Sequence, residues 1–433
     1  MSRRFYTLLV LLALPIASLV VLWRGCGERD YWRGWRERFG LGPPLAGEQR
    51  GLWLHAVSVG EVQAASSLVA ALRLGWAALP LAVTSATPAG RARARAAFAP
   101  GIDARYAPYD LPWCVRAALR RLRPALLVIL ETELWPNLLN ECTRAAVPVL
   151  IVSARLSARS QARWARFAAL LQPAFNANVS VAAQSAQDAA RFVSLGVPAT
   201  RVRVCGNIKF DRVPATAVRA AGAALRVRYA AARPLWVAGS THEGEEQAAL
   251  DAHARVRMAQ PAALLVLAPR HRPRFDEVAK WLDERGVRWL RHSAVAVDPV
   301  GLGADAARIA VLLLDTIGDL ENFYAAADVA FVGGSLAPIG GHNLLEPAAL
   351  GVATLSGESQ GNAPDVARLL NANGALRLVH DSASLGAAVV ELLGDSAARK
   401  RMAGAAQATV EANRGALDAA LAMIRECLAR PTA

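Results

Sequence analysis

Two runs of this chain place residues that do chemistry where an apolar strand would turn into a helix. The first, Leu52-Trp-Leu-His-Ala-Val-Ser-Val-Gly-Glu61, ends on a carboxylate preceded by His55 and Ser58. Glu61 could be an acidic residue favoured in a helix's first turn by the dipole. Taken alone, that reading prevails; the functional one is a general base at a strand's carboxyl end, with His55 a strand residue or a substrate contact. The second run, Phe331-Val-Gly-Gly-Ser-Leu-Ala-Pro-Ile-Gly-Gly-His-Asn-Leu-Leu-Glu346, offers glycine amides and a helix start, the combination that holds a phosphate. Asn343 with Glu346 also fits a capping box. The glycines at 333, 334, 340 and 341 exceed what capping requires and suit close approach to a ligand. A base in one half and a nucleotide cradle in the other predict group transfer in an interdomain cleft.

Further candidates sit after other apolar runs. Glu131-Thr-Glu133-Leu-Trp-Pro136 comes directly after Ala125–Leu130. In a strand, positions 131 and 133 point the same way, which predicts paired carboxylates near Glu61. Their role could be acid/base chemistry, acceptor binding or orientation of Arg155, and orientation or acceptor binding is favoured. Lys209, in Gly206-Asn-Ile-Lys-Phe-Asp211, could reach a phosphate or carboxylate, or pair with Asp211 at a hinge. Gly239-Ser-Thr-His-Glu-Gly-Glu245 again opens a helix, and Ser240 with Glu243 matches a capping box. Ala268-Pro269-Arg270-His271 closes the next strand. Thr84-Ser-Ala-Thr-Pro88 reads as a hydroxyl-rich turn before a helix starting near Pro88.

The elements that must position these residues are short buried strands alternating with amphipathic helices. Leu52–Val57, Leu79–Val83, Ala125–Leu130, Val147–Val152 and Val179–Ala183 form one set of predicted strands. Leu235–Ala238, Ala263–Ala268, Arg308–Leu314, Val329–Val332 and Val352–Leu355 form a second. This alternation predicts two α/β, Rossmann-like domains with parallel sheets, with ligands beyond the strands' carboxyl ends. Expected boundaries are 25–211 and 212–433, preceded by a membrane-anchoring segment at 1–24. Periodicity leaves open whether the helix near Ala416–Leu428 returns to the first domain.

That N-terminal segment, Phe5–Leu22, is almost wholly apolar and flanked by Arg3, Arg4 and Arg24. It is just long enough to span a bilayer or to lie embedded in one face. Arg24, Arg29, Arg33, Arg36 and Arg38 interleave with Trp23, Tyr31, Trp32 and Trp35, a headgroup-level pattern. The positive-inside rule then keeps the remaining body in the cytosol. Across 433 residues the net charge is +14, and lysine occurs only at 209, 280 and 400. The charge favours an acidic partner, although an arginine-rich genome would also produce it. A nucleic-acid partner is not expected, since no motif supports one. The five cysteines are scattered, without a Cys-x-x-Cys pair, and suggest neither a zinc site nor a disulfide framework. No G-x-G-x-x-G and no Walker A loop occurs, which removes most support for dehydrogenase and P-loop readings.

Taken in order, His-Ala-Val-Ser-Val-Gly-Glu61, Glu131-Thr-Glu-Leu-Trp-Pro136, Ala154-Arg-Leu-Ser157, Gly206-Asn-Ile-Lys-Phe-Asp211, Ser240-Thr-His-Glu-Gly-Glu245 and Gly340-Gly-His-Asn343 to Glu346 resemble the bacterial 3-deoxy-D-manno-octulosonic acid (Kdo) transferases. The resemblance runs from the membrane anchor through at least Asp365. It implies a GT-B glycosyltransferase that moves Kdo from CMP-Kdo to the lipid A precursor by an inverting, metal-independent displacement, with no cofactor. By that resemblance Glu61 is the base. Gly340, Gly341, His342, Asn343, Arg270 and Lys209 would meet the leaving phosphate. Glu346 would accept from ribose hydroxyls, Pro269 to His271 would flank the cytosine, and Thr316, Ile317 and Gly318 would line the same pocket with Asn362. His55, Ser58, Glu131, Glu133, Arg155, Ser240 and Thr241 are expected to bind or orient the acceptor.

The expected location is the cytoplasmic face of the inner membrane, among anionic lipids. Two departures stand out: Ser153 replaces the Asn usual before Ala-Arg-Leu-Ser, and Ser356–Asp365 lacks the aromatic residues that commonly flank Asn362. The alternatives are a GT-B transferase with a uridine-nucleotide donor, or a non-catalytic sugar-nucleotide-binding relative.

Overall fold

Apolar runs that are buried on both faces can only be satisfied inside a parallel sheet covered by helices. The computed structural model describes residues 2–27, 29–47, 49–98, 100–212, 214–297 and 308–429, and it contains two such sheets of seven strands each. In the first sheet the strands are β1 (Gly51–His55), β2 (Leu81–Ser85), β3 (Ile102–Tyr106), β4 (Pro124–Leu130), β5 (Val149–Ala154), β6 (Val179–Ala183) and β7 (Val202–Val204). They lie in the order β3-β2-β1-β4-β5-β6-β7. The second holds β8 (Leu235–Thr241), β9 (Leu264–Pro269), β10 (Trp289–Arg291), β11 (Val311–Leu313), β12 (Val329–Val332), β13 (Ala353–Ser356) and β14 (Leu376–Leu378), in the order β10-β11-β9-β8-β12-β13-β14. Strands β1, β2, β5 and β6 are buried at every position.

Each sheet starts at its centre, grows to one side, and then crosses to the other. The crossing separates β1 from β4 in the first sheet and β8 from β12 in the second. At such a switch point the loops leaving two neighbouring strands diverge and open a crevice for a ligand. Most of the strong motifs leave one of those four strands or β9 beside them; Ala154–Ser157 leaves β5, and Gly206–Asp211 comes after β7.

The two units are Met1–Asp211 with Asn413–Ala433, and Arg212–Ala412. The expectation of a single domain over 212–433 therefore needs correction, because its last segment packs with the first unit. Helix Ala416–Ala429 inserts Ala416, Ala420, Met423, Ile424 and Cys427 among Leu54, Val128 and Val152. Asp211 fixes its start by accepting the Gly415 and Leu417 amides at 2.6 and 2.8 Å. Arg203 of β7 adds a two-pronged ion pair to Glu426 at 2.7 and 2.8 Å.

At the front of the first unit, helix Arg3–Gly27 has 25 residues and is long and apolar enough to cross a membrane by length and composition.

Candidate functional site

In the first unit the switch point collects carboxylates. Helix Val59–Ala64 succeeds β1 and is capped by Ser58, whose hydroxyl accepts the Glu61 amide at 3.2 Å. The Glu61 side chain folds back over that turn, accepting the Val57 amide at 2.8 Å and the Ser58 hydroxyl at 3.0 Å. Only 8% of Glu61 is exposed. Burial pushes its carboxyl up to about 7; the Val57 and Ser58 bonds pull the other way, and the charges of Glu133 and Glu131 add to the rise. The group is thus poised to exchange a proton near neutral pH while its hydrogen bonds fix its direction.

β4 stops at Leu130, and Glu131 turns left-handed at φ 57°. The expected strand-like pairing of Glu131 and Glu133 is therefore replaced by divergence. Glu131 accepts from the Lys209 ammonium at 2.6 Å, with Arg155 at 4.0 Å from its other oxygen. Glu133 accepts from the Trp135 indole at 2.8 Å, and burial raises its pKa, with the charge of Glu131 adding to the rise. The pairing of Lys209 with Asp211 is not formed, since Asp211 is committed to the Ala416–Ala429 helix.

Lys209 is held in place by its own segment. β5 bulges between Ile151 and Ala154, leaving Ser153 at φ 52°. The Ser153 hydroxyl accepts the Ile208 amide at 3.0 Å, and Asn207 accepts the Lys209 amide at 3.0 Å. A bulge at a strand end redirects the side chains near it, and here it turns Ser153 toward the Ile208 amide.

His55 lies beneath this site. It is fully buried, edge-on to Trp135 at 4.7 Å, with Nδ1 2.9 Å from the Thr84 hydroxyl that also accepts from the Trp53 indole at 2.8 Å. Burial drops its pKa to about 3, so it is a neutral ring supporting Trp135. A hollow of about 810 Å³ also opens in this unit among Trp32, Trp35, Leu41 and Arg121, and Glu61, Glu131 and Glu133 do not line it.

The switch point of the second unit collects imidazoles and a guanidinium. β8 bulges between Gly239 and Thr241, with Ser240 at φ 56°, and Thr241 is fully buried. The helix begins only at Glu245, with Gly244 as its cap, so the Ser240–Glu243 capping box is not formed. Instead Glu245, 1% exposed, reaches into the glycine loop after β12. It accepts the amides of Gly334, Ser335 and Leu336 at 2.6, 2.9 and 2.8 Å, and that of His242 at 3.0 Å.

This corrects the expectation that the glycine amides face a phosphate. The Gly340 amide goes to Ser359 at 3.0 Å, that of Gly341 to the Gly334 carbonyl at 2.6 Å, and that of His342 to the Gly333 carbonyl at 3.1 Å. An internal carboxylate and the loop's own oxygens occupy these donors. The glycines serve close packing: a Cβ on Gly334, at φ 69°, would lie 2.8 Å from the His342 ring. Asn362 braces the same loop, donating to the Gly341 carbonyl at 2.9 Å.

The loop therefore presents side chains. His342 and His242 meet nitrogen to nitrogen at 2.8 Å with rings 4° from parallel, and His271 stands edge-on to His242 at 5.2 Å. Burial drops the His342 pKa to about 4, with the Arg270 charge adding to the fall, and lowers that of His242. Arg270 and His271 are exposed beyond β9, where the buried Pro269 ends the strand. The Arg270 amide donates to the Thr241 carbonyl at 2.9 Å.

Asn343 does not cap the next helix in the expected box. It accepts the Leu345 amide at 3.1 Å and donates to Glu346 at 3.2 Å. Glu346 also accepts from Arg212 at 2.8 Å. Ile317 and Gly318 are exposed after β11, and the Thr316 hydroxyl is buried without a hydrogen-bond partner among the described residues. Also among the described residues, no group of three His, Cys, Asp or Glu is arranged to hold a metal ion.

Comparison with known proteins decides what this pair of sites belongs to. Residues 33–212 match the family described as 3-deoxy-D-manno-octulosonic-acid transferase (kdotransferase). The 3-deoxy-D-manno-octulosonic acid transferase of Haemophilus influenzae is 34% identical over 99% of this chain and 100% of its own length. This chain belongs to the Kdo transferase family. The Bordetella pertussis transferase of the same name is 38% identical over 96% of this chain and 97% of its own. Among solved structures, the Staphylococcus aureus MnaA–UDP complex aligns over 89% of this chain and 98% of its own, at 15% identity and a TM-score of 0.55. At that identity it bears on the fold alone, and it supports two Rossmann-like halves of the GT-B class. The chain is accordingly a glycosyltransferase, a Kdo transferase.

Within this Kdo transferase, two residues central to the geometry are absent from the site expected from sequence. Glu245 and His242 lie in a segment read as helix capping. Their signal was the density of Thr241, His242, Glu243 and Glu245 in a single turn, more polar groups than one cap uses.

Proposed function

We propose that this Kdo transferase takes its sugar from CMP-Kdo and delivers it to the lipid A precursor, lipid IVA, by inverting, metal-independent displacement. The Glu61 carboxylate removes the proton of the acceptor hydroxyl. The freed oxygen forms the new bond to the anomeric carbon of Kdo, the bond from that carbon to the phosphate oxygen breaks, and the electron pair leaves with CMP. Arg270, the imidazoles of His242 and His342, and Lys209 are the donors for the charge that grows on the departing phosphate. Glu346 takes the ribose hydroxyls, and Pro269 to His271 take the cytosine.

The single observation that supports this reading most is Glu61, a directed, nearly buried carboxylate with a pKa of about 7 at the end of the first strand. A general base works best when its pKa lies near the working pH. Glu131 is occupied by Lys209 and Glu133 by Trp135, which leaves them to shape the field around Glu61. The acceptor is an anionic glycolipid, and the N-terminal helix with its arginines holds the enzyme at the cytoplasmic face of the inner membrane, where that lipid is concentrated.

Detergent-solubilised protein given CMP-Kdo and tetra-acylated lipid A precursor should add Kdo-sized increments to the glycolipid mass, with release of CMP. CMP should inhibit more strongly than UDP. Absence of any mass gain from protein that binds CMP would overturn the acceptor, and stronger inhibition by UDP would overturn the donor.

A further inference from the structure

The helix Arg3–Gly27 has two unlike faces. Arg3, Tyr6, Thr7, Val10, Leu14, Ser18 and Val21 are partly covered and Gly25 is buried, a spacing of three and four that marks one stripe. The opposite stripe is large, apolar and open, with Leu12, Ile16 and Leu19 63–66% exposed and Trp23 75% exposed. The covered stripe rests on the first unit and carries the helix's hydroxyls.

Both ends of the helix are fastened to that same unit. At the start, the Tyr6 hydroxyl donates to Asp110 at 2.8 Å and the Thr7 hydroxyl to the Asn137 side chain at 3.1 Å. Asp110 is itself part of the fold, accepting the Leu138 amide at 2.7 Å to begin helix Pro136–Arg144. At the far end, the Trp32 indole donates to the Leu22 carbonyl at 3.1 Å and closes over Gly25, where an added Cβ would lie 1.9 Å from the ring. The chain then stays on the body. The Asp30 carbonyl accepts from the Tyr106 hydroxyl of β3 at 2.8 Å, and Glu37 accepts the Tyr106 amide at 2.8 Å and pairs with Arg91 at 2.6 Å.

From Tyr6 to Gly25 the helix rises about 28 Å at ~1.5 Å per residue, close to the ~30 Å hydrocarbon thickness. A crossing helix would put one of these ends on the far side of the bilayer, parted from the domain that holds the other. Tyr6 on Asp110 and, just past Gly25, Asp30 on Tyr106 of the same unit are incompatible with that.

We infer that Arg3–Gly27 lies in the plane of one leaflet as a monotopic element, docked along its length on the first unit and presenting the Leu12–Ile16–Leu19–Trp23 stripe to lipid. The partner is a surface with anionic headgroups. Arg3, Arg4, Arg24, Arg29 and Arg33 lie at the two ends of the apolar stripe, and Trp23 and Trp32 sit at the depth where aromatic rings meet headgroups. The inference rests on the membrane association proposed above, but not on the transferase chemistry.

The test uses the full chain with Cys26→Ser, which removes an exposed thiol; Cys114, Cys142 and Cys427 are buried and Cys205 is half-buried. A cysteine is placed at Ser2 or, on the body, at Leu74, which is 88% exposed. Inner-membrane vesicles of each orientation are treated with a membrane-impermeant maleimide. Labelling of Ser2→Cys and Leu74→Cys from the same side is expected; labelling from opposite sides overturns the inference. Flotation with phosphatidylglycerol vesicles gives a second readout. Leu12→Glu/Ile16→Glu/Leu19→Glu should lose flotation at unchanged melting temperature, and retained flotation overturns the lipid-facing assignment. Same-sided labelling of a protein that transfers no Kdo would overturn the proposed chemistry and leave this inference standing.

Discussion

The carboxyl ends of the two sheets are built alike and loaded oppositely. In each, the chain builds out one side of the sheet and then crosses to the other beside its first strand. The loops after the first strand, after the strand beyond the crossing and, in the second unit, after β9 carry the motifs. The first unit places Glu61, Glu131 and Glu133 there; the second places His242, His342, His271 and Arg270. Crowded buried carboxylates hold protons more tightly, and Glu61 rises to about 7. A buried imidazole beside a guanidinium and further imidazoles holds its proton less tightly, and His342 falls to about 4. The same architecture thus gathers carboxylates with a raised pKa in one unit and imidazoles with a lowered pKa beside an arginine in the other. Function lies in what the loops carry rather than in the fold.

The comparison also separates two buried glutamates, Glu61 and Glu245. Each accepts backbone amides after the first strand of its sheet, but Glu61 has one amide and a hydroxyl while Glu245 has several amides of a second loop. One is assigned to chemistry, the other to construction.

Substitutions can break that contrast. The largest expected effect is on Glu61→Gln, which should lower the transfer rate by about 10²–10⁴-fold and leave CMP affinity unchanged in calorimetry. Because the folded-state pKa is raised, stability tied to the protonated carboxyl is present below its unfolded value and lost as pH rises towards 7. Glu61→Gln should therefore melt above wild type at pH 8 and close to it at pH 4.5. Glu245→Ala should behave in the opposite way, costing about 2–4 kcal/mol in denaturant unfolding by stranding buried amides and losing CMP binding with the loop. Arg270→Ala should weaken CMP by about 10–100-fold, the range for one lost hydrogen bond to a charged group, without altering the melting temperature. The smallest effect is on Glu133→Gln. Removing that neighbouring charge should shift the acid limb of the rate profile downward by less than about one pH unit.

Much of this was legible in the sequence, and the parts that were not share physical causes. The interior strands of both sheets were readable as unbroken apolar runs. The strands not foreseen were β3, β7, β10 and β14, which are the four sheet edges. They carry Asp103 and Arg105, Arg203, Arg291 and Arg377. Edge strands are kept short and charged against further pairing, which hides them from a search for apolar runs.

The motifs marked loops that leave the strands' carboxyl ends, but left-handed turns at Glu131, Ser153 and Ser240 decided which way the side chains face. Those turns are taken by non-glycine residues, so composition gives no sign of them. The role of Glu245 was hidden for a related reason: its partners lie some ninety residues further along the chain. The return of Ala416–Ala429 to the first unit depends on Asp211, which sequence alone reads equally well as a partner for Lys209.

The central claim, that a carboxylate held half-protonated near neutral pH accepts the acceptor's proton, is tested most directly by the pH dependence of kcat/KM for Kdo transfer by the wild-type enzyme. Over about pH 5.5 to 8.5 the account predicts a plateau above about 7 and a loss of about tenfold per unit below it. A profile that stays flat to the acid end would contradict it.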